Sequence, residues 1–244
     1  MKRIELFAPM GAGKSFLFNA LMKKKLGYGF VNARDEVYNI LLDQIKKKSA
    51  IHYYLLKIVF YSPLKRRVFS NYDFYQYLKN EDEINTFLEN MLVSLSGKGD
   101  NAKTLIRINA LLKDLTDVSV LNSYSKKNLI LHEESLLQRG LGFEAGSSFI
   151  NSYDYFDHVK LPDAVIFIDT PFDILKSRVL QRENSKISFF VKRAHSVEEL
   201  KKVFDSYKRI CSKLEAKGVK TLKLSGINPI QKNLEIIDGW IKKV

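Results

Sequence analysis

The sequence predicts an α/β fold in which a sheet of five short parallel strands lies between layers of helices. Five apolar runs of strand length lead to this prediction: Ile4 to Phe7, a short run near Phe30 and Val31, Leu129 to Leu131, Ala164 to Ile168, and Val219 to Leu224. Between them lie longer segments with the apolar spacing of helices. Alternation of short buried strands with helices is typical of a parallel sheet covered on both faces.

Composition and length fit one folded domain spanning residues 1–244, of which 45% are hydrophobic and 27% charged. The single cysteine, Cys211, cannot form an internal disulfide, which suits a reducing compartment. No apolar run approaches the roughly 20 residues that a membrane-spanning helix needs. Met1 leads directly into a strand rather than into a secretory leader. We therefore expect a cytoplasmic protein without a transmembrane segment.

The net charge of +13 favours anionic partners, which include nucleotides, phosphorylated sugars, nucleic acid and acidic membrane surfaces. The basic residues are scattered in pairs and triplets, as on a solvated surface. The charge therefore does not choose among these partners. It is compatible with nucleic acid, but a small-molecule partner is favoured by the motifs described next.

The first strand leads into residues 8–15, Ala-Pro-Met-Gly-Ala-Gly-Lys-Ser, and then into a helical run. This is the phosphate-binding P-loop pattern of glycine, four residues, Gly-Lys and Ser or Thr, except that Ala8 replaces the first glycine. Glycines let backbone N–H groups converge on phosphate oxygens, and the helix N-terminus attracts anions. Ser15 is also a predicted Mg²⁺ ligand. The predicted nucleotide-binding residues here are Gly11, Ala12, Gly13, Lys14, Ser15 and Phe16.

The second and third strands are separated by a long segment, residues 36–125, which we interpret as a helical insertion on the acceptor side of the site. Its helices are predicted to break near Pro63 and at Ser94 to Asn101. Tyrosines and phenylalanines interleaved with lysines could form a stacking surface for nucleic acid. Their helical spacing favours core positions instead.

The third strand ends in His132-Glu133-Glu134-Ser135. An acid after an apolar strand is typical of P-loop proteins, which use it to hold Mg²⁺, often through water. Glu133 is the first candidate and Glu134 the second. The alternative interpretation is an acidic pair that is stabilised by a helix N-terminus.

The fourth strand is followed by Asp169-Thr170-Pro171 and a helix that carries Arg178 and Arg182. These arginines are four residues apart and share one helix face. Arginines from a mobile flap can neutralise the charge that develops on a transferred phosphoryl group. The alternative is an exposed basic face. Further on, helical spacing over 196–217 ends at Gly218, and Pro229 begins the last predicted helix, 229–242.

These motifs resemble the P-loop kinases of the nucleoside and nucleotide monophosphate group, especially thymidylate kinases and deoxynucleoside kinases. The resemblance implies a P-loop three-layer sandwich with strand order 2-3-1-4-5, and ATP and Mg²⁺ as cofactors. Residues 32–36, Asn-Ala-Arg-Asp-Glu, fall where these kinases carry an acid close to the acceptor. The resemblance therefore implies Asp35 as general base, with Glu36 second, and Arg34 as a ligand of a substrate anion.

In the same family, an arginine stands where this chain has Glu134, so the phosphate contact of that arginine is not carried over. Arg139 is the candidate to compensate for it. Asn228, after the fifth strand, falls in the loop that lies near the adenine in the family.

The activity implied is transfer of the γ-phosphoryl group of ATP to a small anionic or hydroxyl acceptor such as a nucleoside, nucleotide or saccharide. Two alternatives stay open. The positive charge would suit a polynucleotide 5′-kinase, and the departures at Ala8 and Glu134 would suit a non-catalytic ATP-dependent switch. Neither the acceptor nor the oligomeric state follows from these patterns. The predicted catalytic residues are Lys14, Asp35, Arg178 and Arg182.

Overall fold

A computed structural model describes residues 1–23, 29–51, 54, 101–127, 129–144, 152–184 and 197–243. The predicted helix break near Pro63 lies outside these ranges, and so does all but the last residue of the predicted break at Ser94 to Asn101. The strands are β1 Lys2–Phe7, β2 Val31–Asn32, β3 Leu129–His132, β4 Ala164–Asp169 and β5 Lys220–Ser225. The helices of the described residues are α1 Lys14–Lys23, α2 Ala33–Lys48, α3 Asn101–Tyr124, α4 Leu136–Glu144, α5 Ser152–His158, α6 Phe172–Asn184, α7 Val197–Ala216 and α8 Ile230–Ile241.

The five strands form one sheet in the order β2-β3-β1-β4-β5, which confirms the predicted order. The β1 strand is parallel to both β3 and β4, with Ile4 opposite Leu131 on one side and Ala164 on the other. The β4 strand continues the parallel pairing to β5, where Ala164 lies opposite Lys220. The carboxyl ends of these strands therefore meet at one edge, and open α/β sheets bind ligands outside that edge.

The chain forms two compact units. The sheet unit consists of Lys2–Phe30 and Asn128–Val244, and it carries the phosphate-loop motif. The helical unit consists of Val31–Lys127 together with Met1. None of the described helices is long and apolar enough to cross a bilayer.

The sheet unit has apolar packing on both faces of β1. On one face, Ile4 and Leu6 join a buried cluster that includes Leu17 of α1 and Ile237 of α8. On the other face, the ring of Phe7 packs against Tyr207 of α7 with their centroids 4.8 Å apart. Successive side chains of a strand point to opposite faces, so Arg3 and Glu5 lie on the same face of β1 as Phe7, and both are buried there.

The α7 helix ends at the predicted glycine. Gly218 has a φ of 80°, a left-handed conformation that glycine adopts without a steric penalty. The amide of Val219 then donates to the carbonyl of Leu214 at 3.0 Å, as part of the helix cap. The β5 strand therefore begins at Lys220, one residue later than predicted.

In the helical unit, α2 begins at Ala33, within the motif of residues 32–36. The side chain of Asn32 accepts a hydrogen bond from the amide of Arg34 at 3.0 Å and caps the helix. The candidate acceptor residues therefore lie in the first turn of a helix rather than in a loop. This helix begins three residues before residue 36, where the predicted insertion begins.

Candidate active site

The predicted phosphate loop, residues 8–15, has the backbone conformation that its glycines allow. Gly11 and Gly13 have φ values of 86° and 93°, which residues with a Cβ rarely adopt. The amide of Ala12 donates to the carbonyl of Pro9 at 3.2 Å, which closes the turn. Directly after it, the amide of Leu17 donates to the carbonyl of Gly13 and starts α1. The first N–H groups of a helix lack partners within the helix, and this makes its N-terminus a binding site for phosphate oxygens.

Ala8, the departure from the motif, is buried among the apolar side chains of β1, α1 and β4. The residue is 1% exposed and belongs to the core. The replacement of glycine by alanine is accommodated because the methyl group of Ala8 packs against other apolar groups.

The ammonium group of Lys14 is held by two oxygen acceptors. It forms an ion pair with Oε1 of Glu134 at 2.6 Å and donates to Oε1 of Gln138 at 3.3 Å. Lys14 itself is buried, whereas the side chain of Glu134 is 42% exposed. Hydrogen bonds between two charged groups are short and strong, so this contact keeps the ammonium group beside the phosphate loop.

Glu5 of β1 positions the segment that carries Glu134. Its carboxylate is buried, and Oε1 accepts hydrogen bonds from the amides of Ser135 and Leu137, both at 3.0 Å. A carboxylate that accepts from the first amides of a helix stabilises the helix start, here that of α4. Sequence reasoning missed this role, although Glu5 is an acid inside the apolar run of β1.

Gln138 is oriented by Tyr207 of α7. Its Nε2 donates a hydrogen bond to the hydroxyl oxygen of Tyr207, which leaves its Oε1 directed at Lys14. Burial raises the pKa of Tyr207 well above its ordinary value, so the ring stays neutral. Neither residue was predicted to belong to the site.

Arg178 of α6 also lies at the phosphate loop. Its Nη1 donates to the carbonyl oxygen of Gly11 at 3.1 Å. A Cβ added to Gly11 would lie 3.5–3.6 Å from atoms of Val179, Arg178 and Leu175, so α6 packs closely against the loop. Arg182 follows one turn later in α6, but its side chain lies outside the described part of the molecule.

The predicted magnesium ligands are both oxygen donors. Ser15 is exposed in the first turn of α1, and the half-buried Glu133 directly follows β3. Mg²⁺ binds hydroxyl, carboxylate, phosphate and water oxygens, and it commonly takes only one or two protein ligands in nucleotide sites. The two residues therefore fit this ion. When bound, Mg²⁺ would offset the charge of the nucleotide phosphates.

Phe16 and Asn228 were predicted to contact the nucleotide. Phe16 in α1 is 67% exposed. Asn228 lies in a turn after β5, where its amide donates to the carbonyl of Ser225 at 3.2 Å and its Nδ2 donates to Oδ1 of Asn233. Beside this turn, a surface depression of about 360 Å³ is lined by Asp169, Pro171, Lys208, Lys223, Leu224 and Ser225.

The predicted acceptor residues of the helical unit differ in their surroundings. Arg34 and Asp35 are exposed in the first turn of α2. Glu36 is buried, and its Oε1 accepts a hydrogen bond from the Ser125 hydroxyl at 2.9 Å. Arg139 of the sheet unit is half-buried in α4, and its compensating role stays a prediction.

Asp117 of α3 is a buried acid that sequence reasoning missed. Burial raises its pKa to about 7, and the neighbouring carboxylate of Asp114 acts in the same direction. The positive charges of Lys113 and Arg34 lower it, but they do not outweigh the loss of solvation. The helical unit therefore contains a carboxyl group that titrates near neutral pH.

Comparisons with known proteins bear on the fold. No family model matches the sequence, and no curated protein matches it significantly. Solved structures of deoxyadenosine kinase from M. mycoides are similar along the whole chain. The structure of that enzyme with bound dCTP has a TM-score of 0.51 at 14% identity, and the match covers 99% of this chain and 100% of the other. The structure with bound dATP has a TM-score of 0.52 at 15% identity, and the match covers 98% of this chain and 99% of the other.

A third structure of the same enzyme, with the products dCMP and a flexible dCDP, gives a TM-score of 0.53 at 14% identity and covers 99% of this chain and 100% of the other. The chain shares its fold with these deoxyadenosine kinase structures. The likeness confirms the predicted architecture, a parallel sheet between helical layers.

Proposed function

We propose that this protein is a nucleoside kinase, which transfers the γ-phosphoryl group of ATP to a hydroxyl group of a nucleoside. The observation that supports it most directly is the arrangement around Lys14. This residue begins α1 directly after a glycine turn, and its ammonium group is fixed by Glu134 and Gln138. A lysine in this position can reach the β- and γ-phosphates of a bound nucleotide.

The acceptor class follows from two lines of support. The similar structures are those of a deoxyadenosine kinase with deoxynucleotides bound, so deoxyribonucleosides are the first candidates. In addition, Glu134 stands where related kinases have an arginine, so a cation that could hold an acceptor phosphate is replaced by an anion. Like charges repel, which favours an uncharged nucleoside over a nucleoside monophosphate.

The residues have distinct roles in this proposal. Lys14 binds the phosphates, and Arg178 stabilises the charge on the transferred group from its place beside Gly11. Arg182 contributes from the next turn of α6. Asp35 orients or deprotonates the acceptor hydroxyl, as the family resemblance implies. Phosphoryl transfer gains most of its acceleration from positioning and electrostatics, so loss of one charged group is expected to cost orders of magnitude in rate.

The test is ATP consumption in the presence of Mg²⁺ across a panel of acceptors. The panel holds ribonucleosides, deoxyribonucleosides, their monophosphates, sugars and a 5′-hydroxyl oligonucleotide. We expect deoxyribonucleosides to stimulate turnover, and Lys14→Met to reduce it by at least about 100-fold. Lys232→Met, at an exposed position of α8, is the matched control and is expected to leave turnover unchanged.

Other outcomes would contradict the proposal. Stimulation by the oligonucleotide alone would indicate a polynucleotide kinase. Slow ATP hydrolysis that no acceptor stimulates would indicate a nucleotide-dependent switch.

A further inference from the structure

Glu134 is in an unusual position for an acid, because its carboxylate is paired with the lysine that would bind nucleotide phosphates. The Glu134 oxygen lies 2.6 Å from the Lys14 ammonium nitrogen. The segment that carries Glu134 is fixed by the two hydrogen bonds that the Glu5 carboxylate accepts at the start of α4. Through these hydrogen bonds, Glu5 of β1 fixes the backbone next to Glu134, and this helps to keep the Glu134 carboxylate beside the phosphate loop.

A triphosphate that binds this loop meets both charges of the pair. It is attracted by Lys14 and repelled by Glu134, and the two effects partly cancel. Gln138 is a neutral acceptor for the same ammonium group and adds no repulsion. The net attraction of the loop for phosphate is thus lower than its lysine alone would provide, and Glu134 is the residue that lowers it.

We propose that Glu134 makes nucleotide binding dependent on a divalent cation. A cation that arrives with the nucleotide supplies the positive charge that offsets the Glu134 carboxylate, and Lys14 is then available to the phosphates. This inference rests on the proposed function, because it requires the loop to bind a nucleoside triphosphate. It assigns Glu134 a role in coupling the two ligands, distinct from the direct ligand role predicted for Glu133.

The test compares the dissociation constant of ATP with Mg²⁺ and with EDTA, measured by isothermal titration calorimetry. In the unaltered protein we expect much weaker binding in EDTA. In Glu134→Gln, which keeps the size and removes the charge, we expect metal-free ATP to bind at least about tenfold more tightly. The dissociation constant with Mg²⁺ is expected to change by less than about threefold. The ratio of the dissociation constant in EDTA to that with Mg²⁺ is therefore expected to fall about tenfold.

A matched control removes the same charge elsewhere. Glu215 pairs with Lys223 at 2.9 Å in a similarly exposed position, and Glu215→Gln is expected to leave the ratio unchanged. Glu134→Ala serves as a second variant, because it removes the acceptor without leaving an amide that could hold Lys14. Thermal melts establish that each variant is folded.

The outcomes separate the two proposals. If the unaltered protein binds ATP and both Glu134 variants have the same ratio as the unaltered protein, the coupling role is wrong and the kinase proposal stands. The coupling role is also wrong if Glu215→Gln lowers the ratio as much as the Glu134 variants do, because the effect would then come from overall charge. If the unaltered protein binds no ATP even with Mg²⁺, the proposed function fails, and the coupling role fails with it.

Discussion

Gly226, the residue after β5, provides a sharp test of how the sheet edge near the predicted nucleotide loop is built. Its amide donates to the carbonyl of Asp169 at 2.7 Å and joins the ends of β5 and β4. A Cβ at this position would lie 1.8 Å from Oγ1 and 2.9 Å from Cβ of Thr170, although ordinary contacts begin at 3.4 Å. Thr170 is 0% exposed, so its side chain has no open space into which to move.

Gly226→Ala is therefore expected to force the two strand ends apart. Overpacking of this kind costs about 3 kcal/mol, which in a chain of this size lowers the Tm by roughly 6 to 12 °C. The Asn228 turn follows two residues later, so we also expect ATP affinity to fall severalfold. Gly239→Ala is the control, because nothing lies within 4 Å of its added Cβ, and alanine stabilises helix α8 by up to about 1 kcal/mol.

Differential scanning calorimetry of a double-mutant cycle checks the cause. Thr170→Ala removes the hydroxyl oxygen and leaves the 2.9 Å contact, so it is expected to recover about half of the destabilisation caused by Gly226→Ala. A Tm of Gly226→Ala within about 1 °C of the unaltered protein would contradict the predicted clash. So would a Thr170 substitution that changes the effect of Gly226→Ala by less than about 0.5 kcal/mol.

Two further predictions concern buried groups. The raised pKa of Asp117, about 7, means that the fold favours the protonated acid, so its contribution to stability is present at low pH and is lost as the pH rises through 7. The unfolded chain ionises this acid near its ordinary pKa of 3.8, so the loss starts above about pH 4 and is complete only above pH 7. Asp117→Asn should therefore raise the Tm clearly more at pH 8 than at pH 5, and an equal shift at both pH values in thermal melts would contradict this. Burial likewise raises the pKa of Cys211 to about 11. Iodoacetamide at pH 8 should modify Cys211 at least about 100-fold more slowly in the native protein than in the denatured chain, and equal rates by mass spectrometry would contradict this.

Much of the five-stranded sheet could be predicted, because the signals for its strands and for the helix ends beside them lie in short stretches of sequence. Apolar runs of strand length indicated all five strands, and the glycines of residues 11–13 indicated a turn that needs positive φ. Gly218 marked the end of α7 for the same reason. The order of the strands came from the family resemblance, since strand pairing across a sheet leaves little trace in the residues themselves.

The contacts of the candidate site could be predicted only in part. Lys14 and Arg178 were found from their motifs, but the partner of Lys14, Glu134, is 120 residues away in sequence. Gln138 and Tyr207 lie on different helices, and a polar pair of that kind depends on tertiary placement. The nearest available signal was the departure at Glu134 itself, a charge reversal beside a phosphate-binding motif.

The helical unit shows the same division. The capping residue Asn32, with acids at positions 35 and 36, is a local signal for a helix start at Ala33, and it was overlooked in favour of the family motif. Asp117 could not be recognised, because its burial depends on how α2 and α3 pack rather than on its neighbours in sequence.

The most direct test of the central claim is transfer of label from γ-³²P-ATP to a deoxyribonucleoside in the presence of Mg²⁺, with the product identified by chromatography. We predict labelled deoxynucleoside monophosphate from the unaltered protein and from Lys232→Met, and none above background from Lys14→Met. Label that appears only as free phosphate, or a labelled product that Lys14→Met still forms at the normal rate, would contradict the account of this protein as a P-loop nucleoside kinase.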